Sequence, residues 1–170
     1  MRRVILRLFG SLIFVVMLIV AVASVFGTDP LLKAVFGPVE RTPVVFAKLT
    51  PTDRPNQFLV CPENFCAASP DRTSPVYQIP VSVLQKSWQR MIAGQPRVAL
   101  LGTSASGLQA DYVQKSAIIG FSDTITIRFI RLDDARSTFA IYSRSHYGHS
   151  DLGVNRERIE AWLSALNIPK

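Results

Sequence analysis

The stretch DTITIRFIRLDDARSTFAIYSRSHYGHSDLGVNRERIEAW, residues 123–162, decides the fold. In its first ten residues Ile125, Ile127 and Phe129 alternate with Thr124, Thr126 and Arg128. That period of two puts one set of side chains on each face of a β-strand. A break at DDAR, residues 133–136, precedes a second strand-like run, STFAIYSRS, residues 137–145. So short a turn joins antiparallel neighbours and leaves no room for the crossover that parallel strands need. Beyond a polar corner the period changes. Leu152, Asn155, Ile159, Trp162, Leu163 and Leu166 fall on one helical stripe, with Arg156, Glu157 and Glu160 mostly outside it.

Upstream, RVALLGT (97–103) and LQADYVQKSAII (108–119) read as two more strands, bounded by turn signals at SASG and GFSD. Before them PVSVLQKSWQRMIAG, residues 80–94, places Val81, Leu84, Trp88 and Met91 at helical spacing, with Pro80 suited to the start and Gly94 to the stop. The expected fold is therefore α+β: an N-terminal membrane helix, then a two-layer sandwich in which two helices cover a four-stranded antiparallel meander. Residues 51–80, rich in Pro, Asp, Asn and Ser, read as an extended strap held down by Phe58, Leu59, Val60, Val76, Tyr77 and Ile79.

Three of the 19 basic residues, Arg2, Arg3 and Arg7, precede LFGSLIFVVMLIVAVASVF, residues 8–26, an uncharged and almost wholly apolar run. At about 1.5 Å per residue a helix of that length roughly spans a bilayer core. The arginines keep the N-terminus inside while the remainder is exported. The length favours a retained single-pass anchor in the inner membrane; the alternative is a signal sequence, cleaved after AVA at 21–23, which would leave a soluble periplasmic protein. The expected organisation is an anchor or signal over 1–27, a juxtamembrane segment over 28–50 and an exported domain over 51–170. In the juxtamembrane segment Leu31, Leu32, Val35 and Phe36 either rest on the outer membrane surface or pack on the domain. The other 16 basic residues exceed the 12 acidic ones by only four and form no block. That surplus argues against nucleic acid and is compatible with an anionic lipid or polymer.

Export changes how Cys61 and Cys66 are read. In an oxidising compartment VCPENFCA, residues 60–67, is expected to close a small disulfide ring, and the absence of C-x-x-C spacing argues against redox catalysis. Joined with His146 and His149 the two thiolates would make a Cys2His2 metal set, but only if the cysteines stayed reduced, so no metal is assigned. GTSASG, residues 102–107, is not G-x-S-x-G and joins two strands, so it reads as a hairpin turn. There is no P-loop and no dinucleotide fingerprint, hence no nucleotide and no cofactor. Among the carboxylates, Asp133 and Asp134 are turn residues and Asp123 precedes a strand. Asp151 is placed to cap the last helix through its free amides. Asn155 faces the sheet and needs partners, which the corner can supply. Arg144, Arg156 and the amides of Gly153 and Val154 gather near a helix start, an arrangement suited to an anion.

The run S-R-S-x-x-G-x-S-D-L-G-x-N-x-x-R-I, Ser143 to Ile159, resembles the signature of domain-of-unknown-function family 1499, and the likeness reaches back through PNQFLVCPENFCA to about residue 50. The resemblance implies an exported or lumenal domain, as in bacterial envelope and plant thylakoid-lumen proteins, with no established activity. Its pattern falls on Arg144, Gly148, Ser150, Asp151, Gly153, Asn155 and Arg158. The expectation is a membrane-anchored periplasmic binding or assembly module for an anionic envelope component or another envelope protein. Arg144, Arg156 and Gly153 would hold the anion, and Gly148, Ser150, Asp151, Asn155 and Arg158 would hold the corner. The competing expectation is an enzyme sited at residues 144–158, a hydrolase using Asp151 with Ser150 or a histidine, or a zinc-assisted version.

Overall fold

The computed structural model describes residues 2–39, 41–166 and 168; the side chains of residues 2–7, 19 and 22–26 lie outside that description. The chain divides into two compact units, Met1–Val39 and Glu40–Lys170. The first contains α1 (Arg2–Phe26) and α2 (Asp29–Phe36). Pro30 stands in the first turn of α2, where its missing N–H is not needed, and the Gly37 N–H closes the helix on the Lys33 carbonyl at 3.0 Å. Among the described residues no helix is long and apolar enough to cross a membrane. The expectation of a membrane helix over residues 8–26 falls partly on side chains outside the described residues.

The second unit is built on one sheet of six strands, β1 (Gln57–Cys61), β2 (Arg72–Thr73), β3 (Val98–Thr103), β4 (Gln109–Lys115), β5 (Ser122–Arg131) and β6 (Ser137–Ser145), in the order β2-β1-β6-β5-β4-β3. The expected meander is the β3 to β6 part, antiparallel throughout. The expectation of four strands is corrected to six. β1 pairs antiparallel with β6, and β2 adds a parallel edge to β1. Buried on both faces, β1 shows no polar alternation to read. Phe58 and Val60 enter the core under the helices, while Leu59 and Cys61 enter a second core on the other face.

Two helices, α3 (Val81–Ala93) and α4 (Val154–Ala165), cover the first face. Val81, Leu84, Trp88 and Ile92 of α3 and Ile159 and Trp162 of α4 pack on Ile125, Ile127, Phe129, Phe139 and Ile141. The Trp88 and Trp162 rings meet edge to face at 5.9 Å. The opposite face is not bare, as a two-layer sandwich would leave it. Val44 and Phe46, beside the 3-10 turn Phe46–Lys48, pack on it with Phe65 and Cys66 of the disulfide ring.

Two boundaries also move. The strand expected over 108–119 is shorter: β4 stops at Lys115, and residues 116–121 form a turn closed from the Ser116 N–H to the Phe121 carbonyl at 2.9 Å. Leu152, expected on the stripe of α4, lies ahead of the helix with φ 56° and is exposed. The left-handed residues 152 and 153 turn the chain into the helix, and its apolar stripe begins only after them.

Candidate functional site

The corner between β6 and α4 is organised around Asn155, whose side chain is fully buried. Its Oδ1 accepts from the Ser143 hydroxyl at 2.5 Å and from Arg158 Nη1 at 2.6 Å. Its Nδ2 reaches the Asn56 carbonyl at 3.0 Å, Ser145 Oγ at 3.0 Å and Asp151 Oδ2 at 2.6 Å. Asp151 Oδ2 also accepts the Asn155 N–H at 2.8 Å, and Oδ1 accepts the Gly153 N–H at 3.1 Å. Arg158, nearly buried, bridges Ser143, Gln114 and the carboxylate of Asp123. The Gly148 carbonyl accepts from Asn56 Nδ2 at 3.2 Å, and Ser150 Oγ accepts the Leu152 N–H at 3.2 Å. Each of these groups has a partner, so the corner locks β1, β6 and α4 together as one polar network.

That network closes the expected anion site. The Gly153 amide is taken by Asp151 Oδ1 and the Val154 amide by the Asp151 carbonyl at 3.1 Å. Arg144 and Arg156 are not brought together, because they lie on opposite faces of the sheet. Arg156 stacks over the Phe58 ring at 4.5 Å on the helix side, with Asp71 Oδ1 at 3.9 Å. Arg144 follows the alternation of β6 to the other face, 5.6 Å from the centre of the Tyr142 ring. A hydrolase built on Asp151 would need its carboxylate in a cleft; here the carboxylate is turned into the helix amides.

On the face away from the helices the structure forms a cavity of about 150 Å³. Its floor is Asp111 of β4 with Thr124 and Thr126 of β5; the incoming segment, Arg41 to Pro43, makes one wall, and Leu101 and Gly102 of β3 make the other. The Thr126 hydroxyl donates to Asp111, and the Thr124 hydroxyl pairs with His146 Nε2. Burial, then the neighbouring charges of Arg144 and Arg41, lower the pKa of His146 to about 4, against a smaller opposing effect of Asp123. The ring is therefore neutral near pH 7. Arg144 sits opposite Thr124 in the β5–β6 register, beside the cavity. Its Nη2 donates to the Thr42 carbonyl at 3.2 Å, while its Nε is buried and has no acceptor among the described residues.

This arrangement sets the Arg41 guanidinium and the Asp111 carboxylate on one small opening, with Arg144 and the neutral imidazole beside it and the two threonine hydroxyls held by Asp111 and His146. Asp123, which could have oriented His146 as a base, is held by Arg158 instead. Cys61 and Cys66 are joined in a disulfide with Cα atoms 6.3 Å apart, which removes both thiolates from the Cys2His2 set. Among the described residues no cluster of three His, Cys, Asp or Glu could hold a metal ion. The sequence puts Thr124 and Thr126 on one face of a strand but gives no sign that Asp111 and Arg41 join them. The usable signal was polar alternation in a central strand, where both faces are buried.

No curated protein matches the chain. The family described as Protein of unknown function (DUF1499) matches residues 49–166, which takes in the whole sheet, both covering helices and the locked corner, and the chain belongs to that family.

Proposed function

We propose that this chain is a single-pass inner-membrane protein anchored through residues 8–26, with residues 40–170 in the periplasm, and that the domain is a binding module for an anionic group such as a lipid headgroup. The observation that carries the binding half is the buried Arg144 Nε, which has no acceptor among the described residues, beside Arg41 and a small cavity. An unsatisfied buried donor is costly, and a phosphate or carboxylate oxygen is the partner whose charge suits two guanidiniums. The anchoring half is supported by the uncharged run from Leu8 to Phe26 behind three arginines, and export by the disulfide. The site is thus the face of Arg144, Arg41 and Thr124, away from Arg156 and Gly153.

The test is titration calorimetry of the full chain in phosphatidylcholine nanodiscs with glycerol phosphate, a soluble headgroup. A charge-assisted bond is worth about 1.5–3 kcal/mol, so Arg41→Gln and Arg144→Gln should each weaken binding by roughly tenfold or more, and Arg156→Gln should leave it unchanged. Heat that is absent, or equal across all three variants, would discard the proposed site.

A further inference from the structure

Several features converge on one end of the domain. β4 leaves the sheet there, β5 begins there and β6 ends there, since Lys115 pairs with Ser122 and Asp123 with Ser145. The incoming chain reaches the domain at the same end, where the Thr42 carbonyl meets Arg144. Two loops project from it, residues 116–121 and residues 146–153, joined by the Phe121 and Tyr147 rings at 5.5 Å. Each loop presents an aliphatic side chain to solvent. Ile118 is 92% exposed and Leu152 is 91% exposed, with Ile119 and Val154 about half exposed beside them.

These tips are not accidents of loose chain. Leu152 holds φ 56°, a conformation that disfavours any residue with a Cβ and suits glycine or asparagine. Asp151 and Ser150 tie the amides around it, so the strained leucine is fixed outward. Exposed Arg41, Arg54, Arg97 and Lys115 stand at this end, against exposed Asp53 and Glu157. Among the described residues its other carboxylates, Asp123 and Asp151, are turned inward on Arg158 and the α4 amides. The far end differs: there Asp133 and Asp134 occupy the β5–β6 turn and pair with Arg136 and Arg131.

We infer that the end carrying Ile118 and Leu152 docks on an anionic bilayer surface, the two aliphatic tips entering the headgroup layer with the basic residues around them. The inference rests on the anchored reading above, because a chain held through residues 8–26 enters the domain at this end. Aliphatic tips at an end whose exposed side chains are more basic than acidic match an interface that is apolar below and negative at its surface.

The test uses the full chain reconstituted in phosphatidylglycerol–phosphatidylcholine vesicles. Since Cys61 and Cys66 are joined, a thiol-reactive environment-sensitive fluorophore labels only an introduced cysteine. The variants are Ile118→Cys, Leu152→Cys, Leu132→Cys in the far turn and Leu12→Cys in α1. Expected is strong quenching of the labels at 118 and 152 by lipids brominated on the acyl chain, with the label at 132 quenched only by aqueous iodide. Labels at 118 and 152 that behave like the one at 132 would overturn the docking surface. Protection from both quenchers would also overturn it, since a protein contact would then cover the tips. The label at 12 reads the anchor separately: if it stays in water, as the label at 132 does, while 118 and 152 are quenched by lipid, anchoring fails and the docking surface stands.

Discussion

Asn155→Ala removes the centre of the corner. Five side-chain hydrogen bonds meet at Asn155, and the losses are unequal. The Asn56 carbonyl keeps the Ser145 N–H at 2.9 Å, and Arg158 keeps Ser143, Gln114 and Asp123. Lost outright are the acceptor for the Ser143 hydroxyl, one acceptor for Arg158 Nη1 and the donor to Ser145 Oγ. At about 1 kcal/mol net per buried hydrogen bond, these three amount to about 3 kcal/mol. The chain has two tryptophans, Trp88 and Trp162, both in the helix-side core. Urea unfolding of the full chain in a mild detergent, read by tryptophan fluorescence, therefore follows this domain alone. The midpoint should fall with little change in slope. Asn155→Asp should fare no better near pH 7, because it sets a second carboxylate where Nδ2 now lies 2.6 Å from Asp151 Oδ2. A loss below about 1 kcal/mol for Asn155→Ala would refute the view that this network holds β1, β6 and α4 together.

Three further predictions use the same assay. The pKa of His146 is lowered from 6.5 to about 4, so the unfolded chain binds its proton first, and stability present above pH 6.5 is lost as the pH falls toward 4. The loss should be between about 1 and 3 kcal/mol, and His146→Gln should flatten that part of the profile relative to the native chain. Reducing the Cys61–Cys66 bond, or replacing both cysteines by alanine, should cost about 2 kcal/mol for so short a ring; an unchanged midpoint would show that Phe65 and Phe46 hold the loop unaided. Leu152→Gly relieves a left-handed backbone and should raise stability by up to about 1 kcal/mol, while abolishing lipid contact at that tip.

The sequence by itself determined the β3 to β6 meander, its two covering helices and their order. The alternation of Ile125, Ile127 and Phe129 and the stripe of Ile159, Trp162 and Leu166 are periodic signals, and hairpin turns left the meander little topological freedom. It also supported Asp151 as a cap and Asn155 as an inward amide, since both roles follow from position on one helix. It could not place β1, whose burial on both faces erased its alternation. Nor could it show which residues of different elements share a face. Arg144 and Arg156 are twelve positions apart, yet the pleat of β6 and the turn at 152–153 send them to opposite sides of the sheet. Arg41 and Thr124 are far apart in the chain and line one cavity. Periodicity assigns a side chain to a face of its own element. Only packing decides what that face meets.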